Sequence, residues 1–255
     1  MKHKYFHFAS LLDNAAKSAQ PIAQLSIHNE FDINDAYQIQ KLSISQRLER
    51  GEKLTGYKLG FTSKAKMEQM GVHEVIWGRL TNTMAVENGG SMEIKNFIHP
   101  RAEPEIAFRV SKRIDNELTI ENVQDHFDAV AGAIEIIDSR YDNFKFSLED
   151  VVADNCSSSA YVIGEWMASE SNVRDLSISL AINNETVQNG NSNAILGDPI
   201  ESIIEMSKMA MKYDEPIEVG MIVLAGAATS AEFIKEGDEV SAKFDILNTV
   251  GLKVK

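Results

Sequence analysis

The chain has 255 residues, 44% hydrophobic and 25% charged, a globular composition with enough length to bury a sizeable core. Asp and Glu number 38 against 25 Lys and Arg, a formal net charge of -13. Phosphate backbones and anionic bilayers repel such a chain, which argues against nucleic acid and membrane as general partners.

The start, MKHKYFHFAS, is basic but has no apolar h-region and no small-residue cleavage site, so no signal peptide is read. The longest apolar stretch, Met221 to Ala228, is far short of a membrane span. The single cysteine, Cys156, allows neither an internal disulfide nor a cysteine-based zinc cage and suits a reducing compartment. The cytoplasm is the expected setting.

Phe8, Leu11, Leu12 and Ala15 recur at helical spacing and predict a helix over 6–17. A second helix is predicted over 34–50, with Asn34 as N-cap, Ile39, Leu42, Ile44 and Leu48 on its apolar side and Gly51 as its stop. A short third helix follows Ser63 and ends near Gly71, with Met67 and Met70 facing inward. Strand signals then dominate: 56–61, 105–110, 130–137, 160–163, 176–182, 221–225, 239–244 and 250–254. One further helix is predicted over 199–211. Strands and helices do not alternate, so a doubly wound sheet is not predicted. The expected class is α+β, with a helical N-terminal lobe over 1–80 and a strand-rich catalytic body over 81–255, the alternative being one continuous structural unit.

Arg101-Ala102-Glu103-Pro104-Glu105 is the most informative segment. In an extended chain Glu103 and Glu105 project to one face. Side by side, two carboxylates repel unless a proton or cation sits between them. The alternative is a solvated acidic edge blunted by Pro104. Glu135 lies inside the apolar run Val130–Ile137, where a carboxylate is costly without a partner. Either it faces water on a half-exposed strand, or it completes a three-carboxylate site. An all-oxygen site suits Mg²⁺ or Mn²⁺. The six histidines show no metal-ligand spacing, which disfavours zinc.

Lys58 sits between apolar neighbours in Gly56–Phe61. It is either a surface lysine or a desolvated one with a lowered pKa, suited to proton transfer. The clusters 138–141, with Arg140, and 152–159, with Asp154, Asn155 and Ser157, are either turns or donors to an anionic ligand. Cys156 reads as a buried inert thiol, since no histidine lies nearby in sequence. There is no G-x-S-x-G, P-loop or G-x-G-x-x-G.

In order, Gly56-Tyr57-Lys58-Leu59-Gly60-Phe61-Thr62-Ser63, Gly71-Val72, Glu103-Pro104-Glu105, Glu135-Ile136-Ile137-Asp138-Ser139-Arg140 and Val152-Ala153-Asp154-Asn155-Cys156-Ser157-Ser158 resemble the hydratase/decarboxylase family of meta-cleavage catabolism, within the fumarylacetoacetate hydrolase superfamily. The resemblance spans nearly the whole chain. It implies a mixed β-roll core, metal ligands at Glu103, Glu105 and Glu135, an active-site lysine at Lys58, and a homo-oligomer able to associate with the pathway hydratase.

Within that family, hydratases usually carry an Asp where this chain has Ile76, and they more often read D-W-K-I within the stretch that here runs Asp138-Ser139-Arg140-Tyr141-Asp142-Asn143-Phe144-Lys145-Phe146, which resembles the decarboxylase form. The segment 226–231, with Thr229 as a further expected substrate contact, is also nearer the decarboxylases. His73 and Val75 depart from the family's commoner acidic residue and proline. The implied activity is metal-dependent decarboxylation of 2-oxo-3-hexenedioate, with Ile76, Arg140, Asp154, Asn155, Ser157 and Thr229 around the substrate. The alternatives are 2-keto-4-pentenoate hydratase and, more remotely, a non-catalytic partner subunit.

Overall fold

A computed structural model describes residues 2–63, 67 and 75–255. The helix predicted after Ser63 falls largely outside these residues.

Two helices open the chain, α1 (Lys2–Ser18) and α2 (Ile33–Glu49). Asp32, two residues before the predicted Asn34, caps α2. Its carboxylate accepts the Asp35 N–H at 2.9 Å, and Asp35 accepts the Asp32 N–H at 3.2 Å. A reciprocal cap satisfies two orphan donors, which a lone Asn does not. Gly51 ends the helix as predicted, with φ +98° and its N–H on Leu48 O at 2.9 Å. Arg50 clasps Asp13 through two hydrogen bonds of 2.7 and 2.6 Å, fastening α2 to α1.

The strands are β1 (Leu54–Gly60), β2 (Ile76–Thr81), β3 (Ala85–Val86), β4 (Ser91–Met92), β5 (Arg101–Val110), β6 (Phe127–Ile137), β7 (Ser158–Ile163), β8 (Met167–Ala168), β9 (Ser177–Ile182), β10 (Glu185–Asn191), β11 (Ile222–Ala227), β12 (Glu232–Phe233), β13 (Glu239–Phe244) and β14 (Thr249–Val254). Two more helices intervene, α3 (Leu148–Ala153) and α4 (Glu201–Lys212). The fold is α+β, as expected. The larger sheet runs β2-β1-β11-β5-β6-β7-β3, with β12 beside β5 and β8 beside β6; the smaller runs β10-β9-β13-β14-β4.

The division at residue 80 needs correction. It cuts β2, and β1 with β2 forms an antiparallel pair that joins the larger sheet through the parallel β1–β11 ladder. The helical lobe therefore ends with α2, and the strand body begins at Leu54. Gln40, fully buried on α2, ties the two together: its Nε2 donates to Trp77 O at 3.1 Å and to Val152 O at 2.7 Å.

The two faces of the larger sheet have different jobs. The even-numbered side of β6 packs on the smaller sheet. Gly132 there is obligatory, because a Cβ would stand 2.5 Å from the Phe244 ring. The odd-numbered side is the inner face of the curl. Ala107, Ala131, Ala133, Leu80, Leu224 and Tyr161 form a compact apolar floor on it. Small side chains let the strands close over one another. Beside this floor lie the candidate glutamates. Among the described residues no helix is long and apolar enough to cross a membrane.

Candidate metal centre and active site

Strand periodicity puts Glu103 and Glu105 on one face of β5, and antiparallel register sets Glu103 directly opposite Glu135 of β6. All three are buried, and each offers a carboxylate oxygen within 4.8 Å of the others. Lys58, on β1, reaches the same place: its Nζ is 2.9 Å from Glu135 Oε2 and donates to Cys156 O at 3.3 Å.

A bulge completes the group. The β11–β5 register shifts between Leu224 and Ala227, and Gly226, at φ +110°, turns its N–H onto Glu105 Oε2 at 2.8 Å. A Cβ on Gly226 would lie 2.2 Å from Thr62 Oγ1, so only glycine fits. Gly226 and Thr62 were not among the residues singled out for chemistry. The available signal was an isolated glycine within an apolar strand run.

The electrostatics are unbalanced. Among the described residues, the three carboxylates converge on one ammonium, Lys58. Burial, and then its neighbour Glu135, hold the Glu105 carboxyl well above the ordinary range. Burial also raises Glu135, against the pull of Lys58. Among the described residues, Glu105 Oε1 and Glu135 Oε1 are buried without a hydrogen-bond partner. Converging hard oxygens with spare lone pairs and surplus negative charge fit a dication such as Mg²⁺ or Mn²⁺. The expected direction for Lys58 is corrected: burial by itself would lower its pKa, but Glu135, with Glu105 and Glu103 behind it, raises it above the usual lysine value. Lys58 is thus held as an ammonium.

The loop after α3 forms the wall beside Lys58. Asn155, Cys156 and Ser157 follow one another at φ 50°, 52° and 58°, a left-handed run without a glycine. Such strain persists only where the surroundings enforce it. The Asn155 side chain accepts the Arg79 N–H at 2.7 Å and donates to Arg79 O at 2.9 Å. Gly78 admits the loop, since a Cβ there would lie 2.6 Å from Asn155 O. The result aims the Cys156 carbonyl at Lys58. The Cys156 thiol donates to Trp77 O at 3.1 Å, and burial pushes it up to about 12, so it is inert, as expected. Among the described residues, Ser157 Oγ is buried with no hydrogen-bond partner.

Ile76 opens β2 opposite Gly60. A Cβ on Gly60 would lie 2.9 Å from Ile76 Cγ1 and 3.9 Å from Lys58 Nζ, so Ile76 sets hydrocarbon beside the ammonium end of Lys58. Arg140 and Asp154 form a buried pair. Asp154 Oδ2 accepts the Arg140 N–H at 2.9 Å and Oδ1 accepts Nε at 2.5 Å. The guanidinium also donates to Asp154 O at 2.5 Å, Ser158 O at 3.2 Å and Ser159 Oγ at 2.5 Å. The guanidinium commits four of its five N–H donors to the loop, and the pair braces it. Burial still pushes Asp154 up to about 6 against the pull of Arg140. The Thr229 hydroxyl donates to Ser230 O at 3.0 Å and its methyl covers Gly190 on β10.

Residues 61–255 match the fumarylacetoacetate (FAA) hydrolase C-terminal family, and the chain belongs to that family. It is 43% identical over 245 residues to a 4-oxalocrotonate decarboxylase of Pseudomonas sp, covering 96% of this chain and 95% of that one. It is 31% identical to a 2-keto-4-pentenoate hydratase of Paraburkholderia xenovorans (strain LB400), over 90% of this chain and 87% of the other. Among solved structures, 4-oxalocrotonate decarboxylase from Pseudomonas putida G7, complexed with magnesium and adipate, superposes with a TM-score of 0.95 at 31% identity, covering 100% of this chain and 98% of that one.

Proposed function

We propose that this protein decarboxylates 2-oxo-3-hexenedioate (4-oxalocrotonate) to 2-hydroxypenta-2,4-dienoate and CO₂ in the meta-cleavage degradation of aromatic compounds. The observation that carries the proposal is the buried Glu103, Glu105, Glu135 and Lys58 constellation, in a chain 43% identical to a decarboxylase of that substrate over 96% of its length. The adipate of the similar solved structure has the six-carbon dicarboxylate skeleton of the proposed substrate.

Glu103, Glu105 and Glu135 would hold Mg²⁺ or Mn²⁺, and a dication there supplies Lewis acidity toward the α-keto acid end of the substrate. The chain's own groups do the rest. When the C5–C6 bond breaks, its electron pair moves through C3=C4 to the C2 oxygen, and C6 leaves as CO₂. Lys58, kept protonated by its carboxylate neighbours, holds a proton for that oxygen. The Cys156 carbonyl fixes the Lys58 ammonium in place. Ile76 excludes water from the reacting end, which favours loss of CO₂ over hydration. Asn155 and Ser157 belong to the wall that bounds the substrate, and Arg140 and Asp154 keep that wall in shape.

The test is a paired assay on Mg²⁺-loaded protein. CO₂ release from 2-oxo-3-hexenedioate should far exceed water addition to 2-hydroxypenta-2,4-dienoate. The reverse ranking would make the protein a hydratase, and turnover of neither, with no dication bound, would make it a non-catalytic subunit. Assembly as a homo-oligomer, association with the pathway hydratase and a cytoplasmic setting complete the reading; light scattering and co-purification test the first two. One buried, free cysteine accords with the third.

A further inference from the structure

Arg101 opens β5, and no register shift separates it from Glu103 and Glu105, so the three share the inner face. Two residues of strand place Arg101 about 7 Å from Glu103 along the sheet. Among the described residues its guanidinium makes no ion pair or hydrogen bond, and its Nε is buried without a partner. Its neighbour is the Phe144 ring, 4.4 Å from the guanidinium carbon. Phe144 is held there by a turn in which Asn143 and Phe144 both adopt left-handed φ, 57° and 58°. A bulky aromatic in that region is a backbone outlier. The ring stacks on one guanidinium face and leaves the in-plane N–H fork free.

A buried guanidinium N–H without an acceptor is costly, and the fork matches a carboxylate bidentately. The acceptor is not supplied by the chain among its described residues. Resting on the proposed function, the substrate supplies one: an extended hexenedioate with its α-keto acid end at the glutamates projects a second carboxylate a comparable distance away. We infer that Arg101, backed by Phe144, is the subsite for this distal carboxylate and sets a preference for 2-oxo dicarboxylates over 2-oxo monocarboxylates. Because that carboxylate becomes neutral CO₂, the pairing is stronger in the bound substrate than in the transition state. Arg101 therefore governs capture more than chemistry, and its loss raises KM more than it lowers kcat.

The experiment measures binding of 2-oxoadipate, 2-oxohexanoate and oxalate to Mg²⁺-loaded protein by calorimetry, beside steady-state kinetics. In Arg101→Gln the preference for 2-oxoadipate over 2-oxohexanoate should fall about 10- to 100-fold, the range of a hydrogen bond to a charged group, while oxalate binding is unchanged. Arg101→Lys keeps the charge without the fork and should retain part of the preference; it carries the test alone if Arg101→Gln does not fold. A wild-type preference preserved in the variants, or an equal loss for all three ligands, would overturn the inference. Absence of CO₂ release from 2-oxo-3-hexenedioate by wild-type protein would instead overturn the proposed reaction, and the binding ratios would still report on Arg101.

Discussion

Lys58–Glu135 and Arg140–Asp154 are both buried ion pairs, with closest approaches of 2.9 and 2.5 Å. They differ in what surrounds them. Arg140 and Asp154 satisfy one another and a ring of backbone and hydroxyl groups, and both carboxylate oxygens are engaged. Lys58 and Glu135 sit with two further carboxylates, and oxygens of Glu105 and Glu135 are left over. A closed pair holds a shape. An open one retains binding capacity, and buried polar capacity without a partner is what a metal or substrate completes.

That contrast can be broken by mutation. The largest effect is expected from Glu135→Gln, which removes one converging charge. Mg²⁺ affinity by calorimetry and CO₂ release should both fall by more than about 100-fold, exceeding the loss common for groups that only support a ligand. Lys58→Met should lower kcat by about 10²- to 10⁴-fold, the range of a positioned proton donor, while Mg²⁺ binding persists. Arg140→Met should cost about 3–5 kcal/mol in chemical denaturation, because it strands a buried charge, with Mg²⁺ affinity of the folded protein much less affected. Were Arg140→Met to abolish dication binding without loss of stability, the two pairs would not divide as drawn.

The smallest effect is in pH dependence. Folding raises Asp154 from 3.8 to about 6, so the folded state binds its proton more tightly than the unfolded chain does. The resulting stabilisation is full below about pH 4 and is lost as pH rises through about 6. Denaturation curves across that window should show this slope in wild-type protein and lack it in Asp154→Asn.

The open pair was the more legible of the two. A two-residue period fixes Glu103 and Glu105 to one face, and a lone carboxylate in Val130–Ile137 signals a partnered site. Arg140 and Asp154 lie fourteen positions apart in two polar clusters, and residue type alone does not show that each would consume the other. The Lys58 shift was legible only as burial; its sign depends on how many carboxylates the fold gathers around it. Ile76 carried meaning through family resemblance, since an isoleucine beginning an apolar strand has no chemistry of its own. The Gly226 N–H was hidden because a bulge, not a side chain, aims it. β10 was missed because Glu185–Asn191 is polar and half exposed at the edge of the smaller sheet, so it lacks the apolar alternation by which strands are read.

The insertion of β11 between β1 and β5 also sets an order of assembly. On a ribosome, the strands bearing Glu103, Glu105 and Glu135 emerge consecutively and can zip together early. Lys58 precedes them in synthesis, yet no backbone ladder ties its strand to theirs until residues 222–227 arrive to bridge the gap. Only with β11 in place does a continuous sheet hold that lysine beside the acidic cluster.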